Sequence, residues 1–129
     1  MSEIKKKVVK IKSAFSDERG EIKDIIVGNF NSATIVTFNT GSVRGNHFHK
    51  KTSQWNYILK GKVKYFSQFK NEEIKTTILS KGDLIKSSPN EKHAFIGLKS
   101  SEVLVITKGP RSGKNFEDDT YRLKKKITD

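Results

Sequence analysis

The chain has 129 residues, about the size of one domain, and is long enough to bury one hydrophobic core. It contains no cysteine, which excludes disulfide bonds, thiolate metal sites and cysteine nucleophiles. Its formal net charge of +12 arises almost entirely from lysines spread along the chain, a pattern that favours a solvated surface over arginine-based nucleic-acid recognition.

The distribution of charged and apolar residues also bears on location and ligands. No stretch approaches the apolar length of a membrane span, and the lysine-rich N-terminal run lacks the apolar segment of a signal peptide. We therefore expect a cytoplasmic protein that does not insert into a membrane. We do not expect nucleic acid as a partner, whereas the positive charge suits an anionic small molecule such as a phosphate-bearing metabolite.

Short β-strands are the elements that the sequence predicts, since no segment has a sustained apolar pattern at helical spacing. In chain order, we predict strands at Val8–Ile11, Glu21–Ile26, Ala33–Asn39, His47–His49, Trp55–Leu59, Lys62–Gln68, Ile74–Leu79, Leu84–Ser87, His93–Gly97 and Val103–Thr107. Turns are predicted at Asp17–Gly20, Lys60–Gly61, Asn71–Glu72, Lys81–Asp83 and Lys99–Ser101. This spacing is typical of an antiparallel sandwich or barrel.

The C-terminal segment has a less regular pattern. After Pro110, the stretch Asn115–Arg122 is predicted to form either a short helix or an irregular packing strap. Because the sequence has no internal repeat, low-complexity tract or linker, residues 1–129 are predicted to form a single domain.

The histidines of the chain are His47, His49 and His93. On a strand, His47 and His49 project from the same face with Cα atoms roughly 6.6–6.8 Å apart, while Phe48 points to the opposite packing layer. His93 follows a predicted turn that contains Pro89. We predict that the three imidazoles share one interior site; the alternative is three unrelated histidines in the core or on the surface.

Two segments around these histidines resemble the two motifs of the cupin superfamily. Gly41–Gly61 (GSVRGNHFHKKTSQWNYILKG) resembles the first motif, in which a glycine precedes an HxH pair and an acid or amide, and a later glycine closes a hairpin. Gly82–His93 (GDLIKSSPNEKH) resembles the second motif, with its glycine, proline and late histidine. The resemblance extends from about Asp17 to Leu123 and implies an all-β, single-domain jelly-roll barrel.

Shorter matches are similar to the nucleotide-sugar branch of the cupins. They lie at Asp17–Gly20 (DERG) and Arg44–His47 (RGNH). The branch includes the dTDP-4-dehydrorhamnose 3,5-epimerases, the dTDP-4-keto-6-deoxyhexose 3,4-ketoisomerases and the cupin domain of capsular-polysaccharide biosynthesis enzymes. The resemblance implies a nucleotide-sugar as the small-molecule partner.

One use of three clustered imidazoles is metal binding. His47, His49 and His93 could supply three neutral nitrogens to Zn²⁺, Fe²⁺, Mn²⁺ or Ni²⁺ and leave positions open for a substrate. The resemblance adds Gln54 as a further ligand, at a position where metal-binding cupins normally carry glutamate. A neutral amide is the weaker ligand, so the cofactor is expected to be either none or one divalent metal.

The second use, which the ketoisomerase resemblance implies, is metal-free acid–base catalysis. A base removes a proton from the carbon beside the carbonyl of a 4-keto sugar, and reprotonation elsewhere gives an isomer or epimer. Imidazole suits this role near pH 7. The resemblance implies His47 as the base, with His49 relaying the proton or orienting His47. This scheme competes with metal binding, because an imidazole nitrogen bound to a metal could not also take the substrate's proton.

A phenol is the usual partner acid in these families, and Tyr57 and Tyr65 lie on predicted hairpin strands. Strand alternation, however, puts Asn56 on the face of Gln54 and Tyr57 on the other face, which argues against Tyr57 as the acid. Both tyrosines are predicted to lie in the core or in an interface.

Several polar residues are candidate substrate ligands. Arg44 is predicted either to clamp the substrate's pyrophosphate or to be an ordinary surface arginine, and Lys51 is a weaker candidate for the same role. Gln54 and Asn56 are predicted to contact the substrate from their shared face. The resemblance to the epimerases adds Arg19. Gly109–Lys114 (GPRSGK) only superficially resembles a phosphate-binding loop, since it is one residue short and lacks a following Ser or Thr.

We therefore carry three hypotheses for the function. The leading one is a nucleotide-sugar isomerase or epimerase that acts on a 4-keto-6-deoxy sugar for surface-polysaccharide synthesis. The alternatives are a metal-dependent three-histidine dioxygenase or lyase, and a non-catalytic sugar-binding cupin. Because small barrels of this kind leave sheet edges and apolar faces open, we also predict a homodimer.

Overall fold

Antiparallel β-strands form the structure of the chain. A computed structural model describes residues 2–3, 8–111, 114–115 and 117–129. The strands within these residues are β1 (Ser2–Glu3), β2 (Val8–Lys10), β3 (Phe15–Asp17), β4 (Gly20–Ile22), β5 (Ser32–Phe38), β6 (Val43–Phe48), β7 (Ser53–Lys60), β8 (Lys62–Phe69), β9 (Lys75–Ser80), β10 (Asp83–Ser87), β11 (Glu91–Gly97), β12 (Ser101–Lys108) and β13 (Tyr121–Arg122). The described part of the chain contains no helix, which confirms the all-β prediction.

The strands form two large sheets and one small hairpin. The first sheet has the order β1-β9-β8-β11-β6-β13, and the second has the order β2-β10-β7-β12-β5. All neighbouring strands are antiparallel except β1 and β9. Among the described strands, β3 and β4 pair only with each other. Non-consecutive neighbours such as β6 with β11 and β7 with β10 bring residues that are distant in sequence to one site.

Each predicted strand overlaps an observed one, but the bounds differ. The strand predicted at His47–His49 is observed as β6 (Val43–Phe48), so His49 lies just beyond its end, and the sequence did not predict β3. The strand predicted at Glu21–Ile26 ends at Ile22, and the residues after it carry no regular structure. In the C-terminal segment, the helix alternative is wrong for the described residues: residues 117–119 form a turn, and Tyr121–Arg122 adds a short strand to β6. Ser112, Gly113 and Phe116 lie outside the described residues.

The hydrophobic core fills the space between the large sheets. Its buried residues are Phe38, Ile58, Val63, Tyr65, Leu79, Ile85, Phe95, Val103 and Val105. Along β7, Gln54, Asn56 and Ile58 point inward, whereas Trp55 and Tyr57 are only half-buried on the outer face. This confirms the predicted alternation of β7. Among the described residues there is no helix that could cross a membrane.

A bulge in β6 determines how this strand meets β11. His93 pairs with His47 while Ala94 pairs with Gly45, so Asn46 has no partner across the ladder. Gly45 and Asn46 both have positive φ angles, of 94° and 57°. A Cβ at Gly45 would lie 2.8 Å from the carbonyl oxygen of His93, so only glycine permits this close approach of the two strands.

Candidate active site

The three histidines converge at one end of the barrel interior. The ring centroids of His47 and His93 lie 4.7 Å apart, those of His47 and His49 are 4.9 Å apart, and those of His49 and His93 are 5.2 Å apart. His49 and His93 are buried, and His47 is partly buried. The shared site predicted from the HxH pair and the late histidine is therefore present. The catalytic and metal-binding roles assigned to these residues stay predictions.

Backbone carbonyls determine which ring nitrogens carry protons. Nδ1 of His49 lies 2.9 Å from the carbonyl oxygen of Asp119, and Nδ1 of His93 lies 3.2 Å from that of Glu91. Because a carbonyl can only accept, we assign the proton of each ring to Nδ1, which leaves Nε2 with a lone pair. The geometry thus holds two imidazoles in the tautomer that can accept a proton or bind a cation.

Burial keeps the imidazoles neutral. Burial first, and then the charges of His93, His49, Arg122 and Arg111, together lower the pKa of His47 from 6.5 to about 2. Burial also lowers the pKa of His49, although the Asp119 carbonyl opposes this effect. Near neutral pH, both rings are uncharged.

A cavity of about 360 Å³ opens beside the imidazoles. Its apolar wall comes from β5, β11 and β12, and consists of Val36, Phe38, Phe95, Val103 and Val105. His47, His93 and Gln54 supply polar groups to the same cavity. A ligand that enters would therefore meet an apolar surface and imidazoles together, as small-molecule sites commonly provide.

Three arginines line the cavity. Arg44 donates from Nε to the carbonyl of Thr37 at 3.1 Å, and its guanidinium lies 5.6 Å from the centre of the Phe38 ring. Arg122 pairs with Glu117 at 3.2 Å, and both line the cavity. Arg111 is half-buried, which lowers its pKa. A guanidinium stays charged under these conditions, so the cavity carries fixed positive charge that suits an anionic ligand.

The C-terminal strap, residues 117–122, forms one wall of the site. Besides the bond from His49 to its carbonyl, Asp119 accepts hydrogen bonds through its carboxylate from the backbone N–H groups of Lys50 and Lys51 at 3.0 and 2.9 Å, and from the Thr52 hydroxyl at 2.8 Å. Desolvation raises the pKa of Asp119, but these hydrogen bonds outweigh it, so the pKa is lowered and the group is ionised. The strap is therefore attached to the segment that follows the HxH pair.

The structure places the other predicted ligands differently. Gln54 lines the cavity, whereas Asn56 is fully buried behind it. Lys51 is exposed and meets the strap through its backbone. Arg19 lies in the β3–β4 hairpin and pairs with Asp17 at 2.6 Å. Within the described residues of one chain, Lys51, Asn56 and Arg19 are not part of the cavity lining.

The tyrosines do not supply an acid within the described cavity lining. Tyr57 faces outward from β7, and Tyr65 is fully buried with its hydroxyl bonded to Glu91 at 2.8 Å and to Ser87 at 2.7 Å. Burial raises the pKa of Tyr65, and the nearby Glu91 raises it further. Tyr65 is a core residue, as predicted.

Sequence reasoning missed Arg111, Arg122 and Thr120, which line the cavity. Arg111 belongs to the GPRSGK stretch, where the basic residue next to a Gly–Pro turn was the available signal. The rejection of this stretch as a nucleotide-binding loop is consistent with its position after an antiparallel strand. Its arginine nevertheless reaches the cavity.

The three histidines also fit a divalent metal. Their candidate ligand atoms all lie within 4.8 Å of one another, compared with the separation of roughly 3.4 Å between nitrogens around tetrahedral zinc. Nδ1 of His47 and Nε2 of His49 are buried without a hydrogen-bond partner of good geometry. The Nδ1–H bonds of His49 and His93 to carbonyls are the outer contacts that metal-bound imidazoles usually make.

A small antiparallel barrel with three imidazoles beside a basic cavity defines the class of this molecule: a β-barrel with a candidate ligand site in its interior. The sequence model of the cupin family matches residues 14–116, and the chain belongs to that family. None of the curated proteins matches the sequence.

Solved structures share this fold over most of the chain. A 3,4-ketoisomerase from Helicobacter canadensis gives a TM-score of 0.74 at 16% identity, with 91% of this chain and 90% of that chain covered. The sugar 3,4-ketoisomerase QdtA from Thermoanaerobacterium thermosaccharolyticum, solved with TDP, gives 0.73 at 22% identity, covering 91% and 87%. The dTDP-4-dehydrorhamnose 3,5-epimerase from Sulfolobus tokodaii gives 0.64 at 18% identity, covering 78% and 68%. At these identities the likeness establishes a common fold.

Proposed function

We propose that the chain is a nucleotide-sugar isomerase or epimerase that acts on a 4-keto-6-deoxy sugar by histidine-based proton transfer. The observation that carries the proposal is a neutral, partly buried imidazole, His47, in a cavity lined by three arginines. The shared fold with sugar ketoisomerases and an epimerase supports the same conclusion. We also propose a cytoplasmic role in surface-polysaccharide synthesis, on the resemblance of the sequence to the capsular-polysaccharide biosynthesis enzymes.

In this proposal, the arginines hold the substrate's pyrophosphate. Arg44, Arg111 and Arg122 supply the planar donors that match phosphate oxygens. The apolar wall and the imidazoles then contact the sugar. Because Arg111 and Arg122 lower the pKa of His47, a bound pyrophosphate that offsets their charge makes His47 a stronger base.

His47 is the proposed base. One of its ring nitrogens takes the proton from the carbon beside the sugar carbonyl, and the electron pair of the broken C–H bond moves onto the carbonyl oxygen to give an enediolate. Return of a proton to the former carbonyl carbon moves the carbonyl, provided that the hydroxyl on the deprotonated carbon passes its proton to the neighbouring enolate oxygen. Return of the proton to the other face of the deprotonated carbon inverts that centre. His49, with its proton fixed on Nδ1, orients His47 or relays the proton.

Deuterium exchange tests this proposal. The purified chain is incubated in D₂O with dTDP- or UDP-4-keto-6-deoxy sugars, and exchange into the ring is followed by NMR. We expect exchange with at least one sugar, and its loss in His47→Asn, while Lys81→Ala, at an exposed turn outside the cavity lining, keeps it. Absence of exchange with every sugar in the folded wild-type chain would refute the proposal.

A second candidate is a metal-dependent enzyme, which the close approach of the candidate ligand atoms of the three histidines favours. A bound divalent metal would act as a Lewis acid on a substrate oxygen. His47, His49 and His93 would hold it, with the Gln54 carbonyl as a further neutral oxygen. Elemental analysis of protein purified without a histidine tag tests this candidate, since less than about a tenth of a metal per chain would exclude it.

We also propose a homodimer. Large apolar side chains remain exposed on one chain, among them Ile35, which is 60% exposed, Ile78 at 58% and Val27 at 87%. Light scattering at micromolar concentration is expected to give twice the chain mass of 14.7 kDa. A mass near that of one chain would exclude the dimer.

A further inference from the structure

A row of buried polar side chains lies behind the cavity. Gln54 donates from Nε2 to Oδ1 of Asn56 at 2.7 Å, and Asn56 donates from Nδ2 to the carbonyl of Ile85 at 3.0 Å and to Oγ of Ser87 at 3.1 Å. Asn56 and Ser87 are fully buried, and Gln54 is 7% exposed. The row connects the cavity wall to the interior of the barrel.

The polarity of this row follows from its fixed acceptors. A backbone carbonyl only accepts, so the Asn56 atom that faces Ile85 must be the amide nitrogen. Oδ1 of Asn56 must then face Gln54, which therefore has to present a donor. This bond uses one hydrogen of the Gln54 amide nitrogen and fixes the nitrogen toward Asn56, so the carbonyl oxygen is left for the other side.

A carboxylate determines the hydrogen-bond directions at the other end of the row, and they agree with those set by the Ile85 carbonyl. Oε2 of Glu91 accepts from the Tyr65 hydroxyl at 2.8 Å and from the Ser67 hydroxyl at 2.6 Å, and the Tyr65 hydroxyl lies 2.7 Å from Oγ of Ser87. Because the Tyr65 hydroxyl donates its proton to Glu91, it accepts from the Ser87 hydroxyl. Oγ of Ser87 in turn accepts from Asn56. The hydrogen bonds at both ends of the row therefore require the amide nitrogen of Asn56 to face Ile85 and Ser87.

We propose that Asn56 is a positioning residue that holds the Gln54 amide with its carbonyl oxygen toward the cavity. Position 54 then offers a fixed acceptor beside the imidazoles, which would receive a hydroxyl of a bound sugar or act as a neutral oxygen ligand. It also cannot carry an ionised glutamate without setting a carboxylate against Oδ1 of Asn56. This orientation stands on the buried contacts alone and does not depend on the proposed function.

The orientation can be read directly by NMR on the full chain without ligand. The side-chain NH₂ of Gln54 is assigned from its loss in Gln54→Leu, and Gln68, whose NH₂ bonds to the Glu72 carbonyl on the surface at 2.7 Å, is the internal reference. We expect the Gln54 NH₂ to exchange at least roughly tenfold more slowly than that of Gln68. We also expect its cross-relaxation with Asn56 and not with the His47 ring.

Two variants separate positioning by Asn56 from general loss of the row. Ser87→Ala removes one acceptor of Asn56 but keeps the Ile85 carbonyl, so Gln54 should stay protected. Asn56→Leu removes the acceptor of Gln54, so its NH₂ should exchange at a rate within a few-fold of Gln68 while the backbone amides of β12 stay protected. Should Asn56→Leu fail to fold, wild type and Ser87→Ala still decide. Cross-relaxation between the Gln54 NH₂ and the His47 ring in wild type would overturn the proposal, whatever sugar the chain does or does not turn over.

Discussion

The imidazole of His49 donates a hydrogen bond of 2.9 Å from Nδ1 to the main-chain carbonyl of Asp119, a residue 70 positions later in the chain. The same residue binds the two backbone N–H groups that follow His49 through its carboxylate. One residue of the C-terminal strap therefore holds both the ring and the backbone at the end of the HxH pair. The orientation and tautomer of the His49 ring therefore depend on the attachment of the strap.

Replacement of Asp119 by asparagine is expected to loosen this attachment. An amide keeps the shape and tolerates the positive φ of 53°, but its NH₂ group cannot accept from the donors that the carboxylate now satisfies. We expect Asp119→Asn to lower the free energy of unfolding by about 1–2 kcal/mol. Urea denaturation measures this change. The neighbouring exposed Asp118→Asn is the control, and an equal loss in both variants would contradict a specific role for Asp119.

The neutral imidazoles predict a dependence of stability on pH. The pKa of His47 is about 2 in the folded chain, against 6.5 for a free imidazole, so the unfolded chain binds more protons between these values. The free energy of unfolding therefore has its full value above about pH 6.5 and decreases as the pH falls below it. Denaturant midpoints at pH 7.5 and 5.5 test the prediction. His47→Asn should show a smaller decrease over this interval; an identical decrease would mean that other groups cause it.

The local geometry of the site could be predicted from the sequence because strands repeat every two residues. That period places His47 with His49 and Gln54 with Asn56, and it turns Tyr57 outward. Gln54, Asn56 and Tyr57 lie within β7, whereas His49 follows directly after the end of β6. The late His93 was added by its likeness to a cupin motif, and the structure brings it to the same site.

The remaining parts of the site depend on contacts between distant segments, which periodicity does not describe. Arg111 reaches the cavity because its backbone N–H bonds to the Thr52 hydroxyl at 3.2 Å, 59 residues earlier. Asp119 has a backbone conformation that the sequence does not signal. The bulge at Asn46 sets the register of β6 against β11, and a period of two cannot locate it.

The glycine at position 45 is expected to be necessary for the approach of His47 to His93. A Cβ there would lie 2.8 Å from the His93 carbonyl oxygen and 2.9 Å from Cα of Ala94, and the φ of 94° is strained for any other residue. We expect Gly45→Ala to lower the free energy of unfolding by about 2 kcal/mol or more, since backbone atoms must move. Chemical denaturation of the variant gives this value.

Gly41→Ala is the matched control for this substitution. Gly41 has a similar φ of 86°, but a Cβ there meets no atom within 4 Å. It should show only the conformational cost of about 1 kcal/mol. If both variants lose the same stability, the close contact between β6 and β11 is not what Gly45 provides.

Arg111 is expected to contribute more to anion binding than its position outside the family motifs suggests. Its guanidinium is half-buried in the cavity wall, where water screens its charge less than at the surface. We expect Arg111→Ala to weaken the binding of dTDP at least roughly tenfold, because a charged hydrogen-bonding group is lost. Isothermal titration calorimetry at two salt concentrations measures the effect, and the variant should have the shallower salt dependence.

Arg19→Ala is the comparison, because Arg19 pairs with Asp17 outside the cavity lining of its own chain. Equal weakening by both substitutions would mean that the anion site needs a second copy of the chain. Unchanged binding in Arg111→Ala, with the fold intact, would mean that Arg44 and Arg122 suffice. The expected result, weakened binding only in Arg111→Ala, would assign the anion site to this cavity. It would also explain how a residue after the last long strand contributes to a site built on β6, β7 and β11.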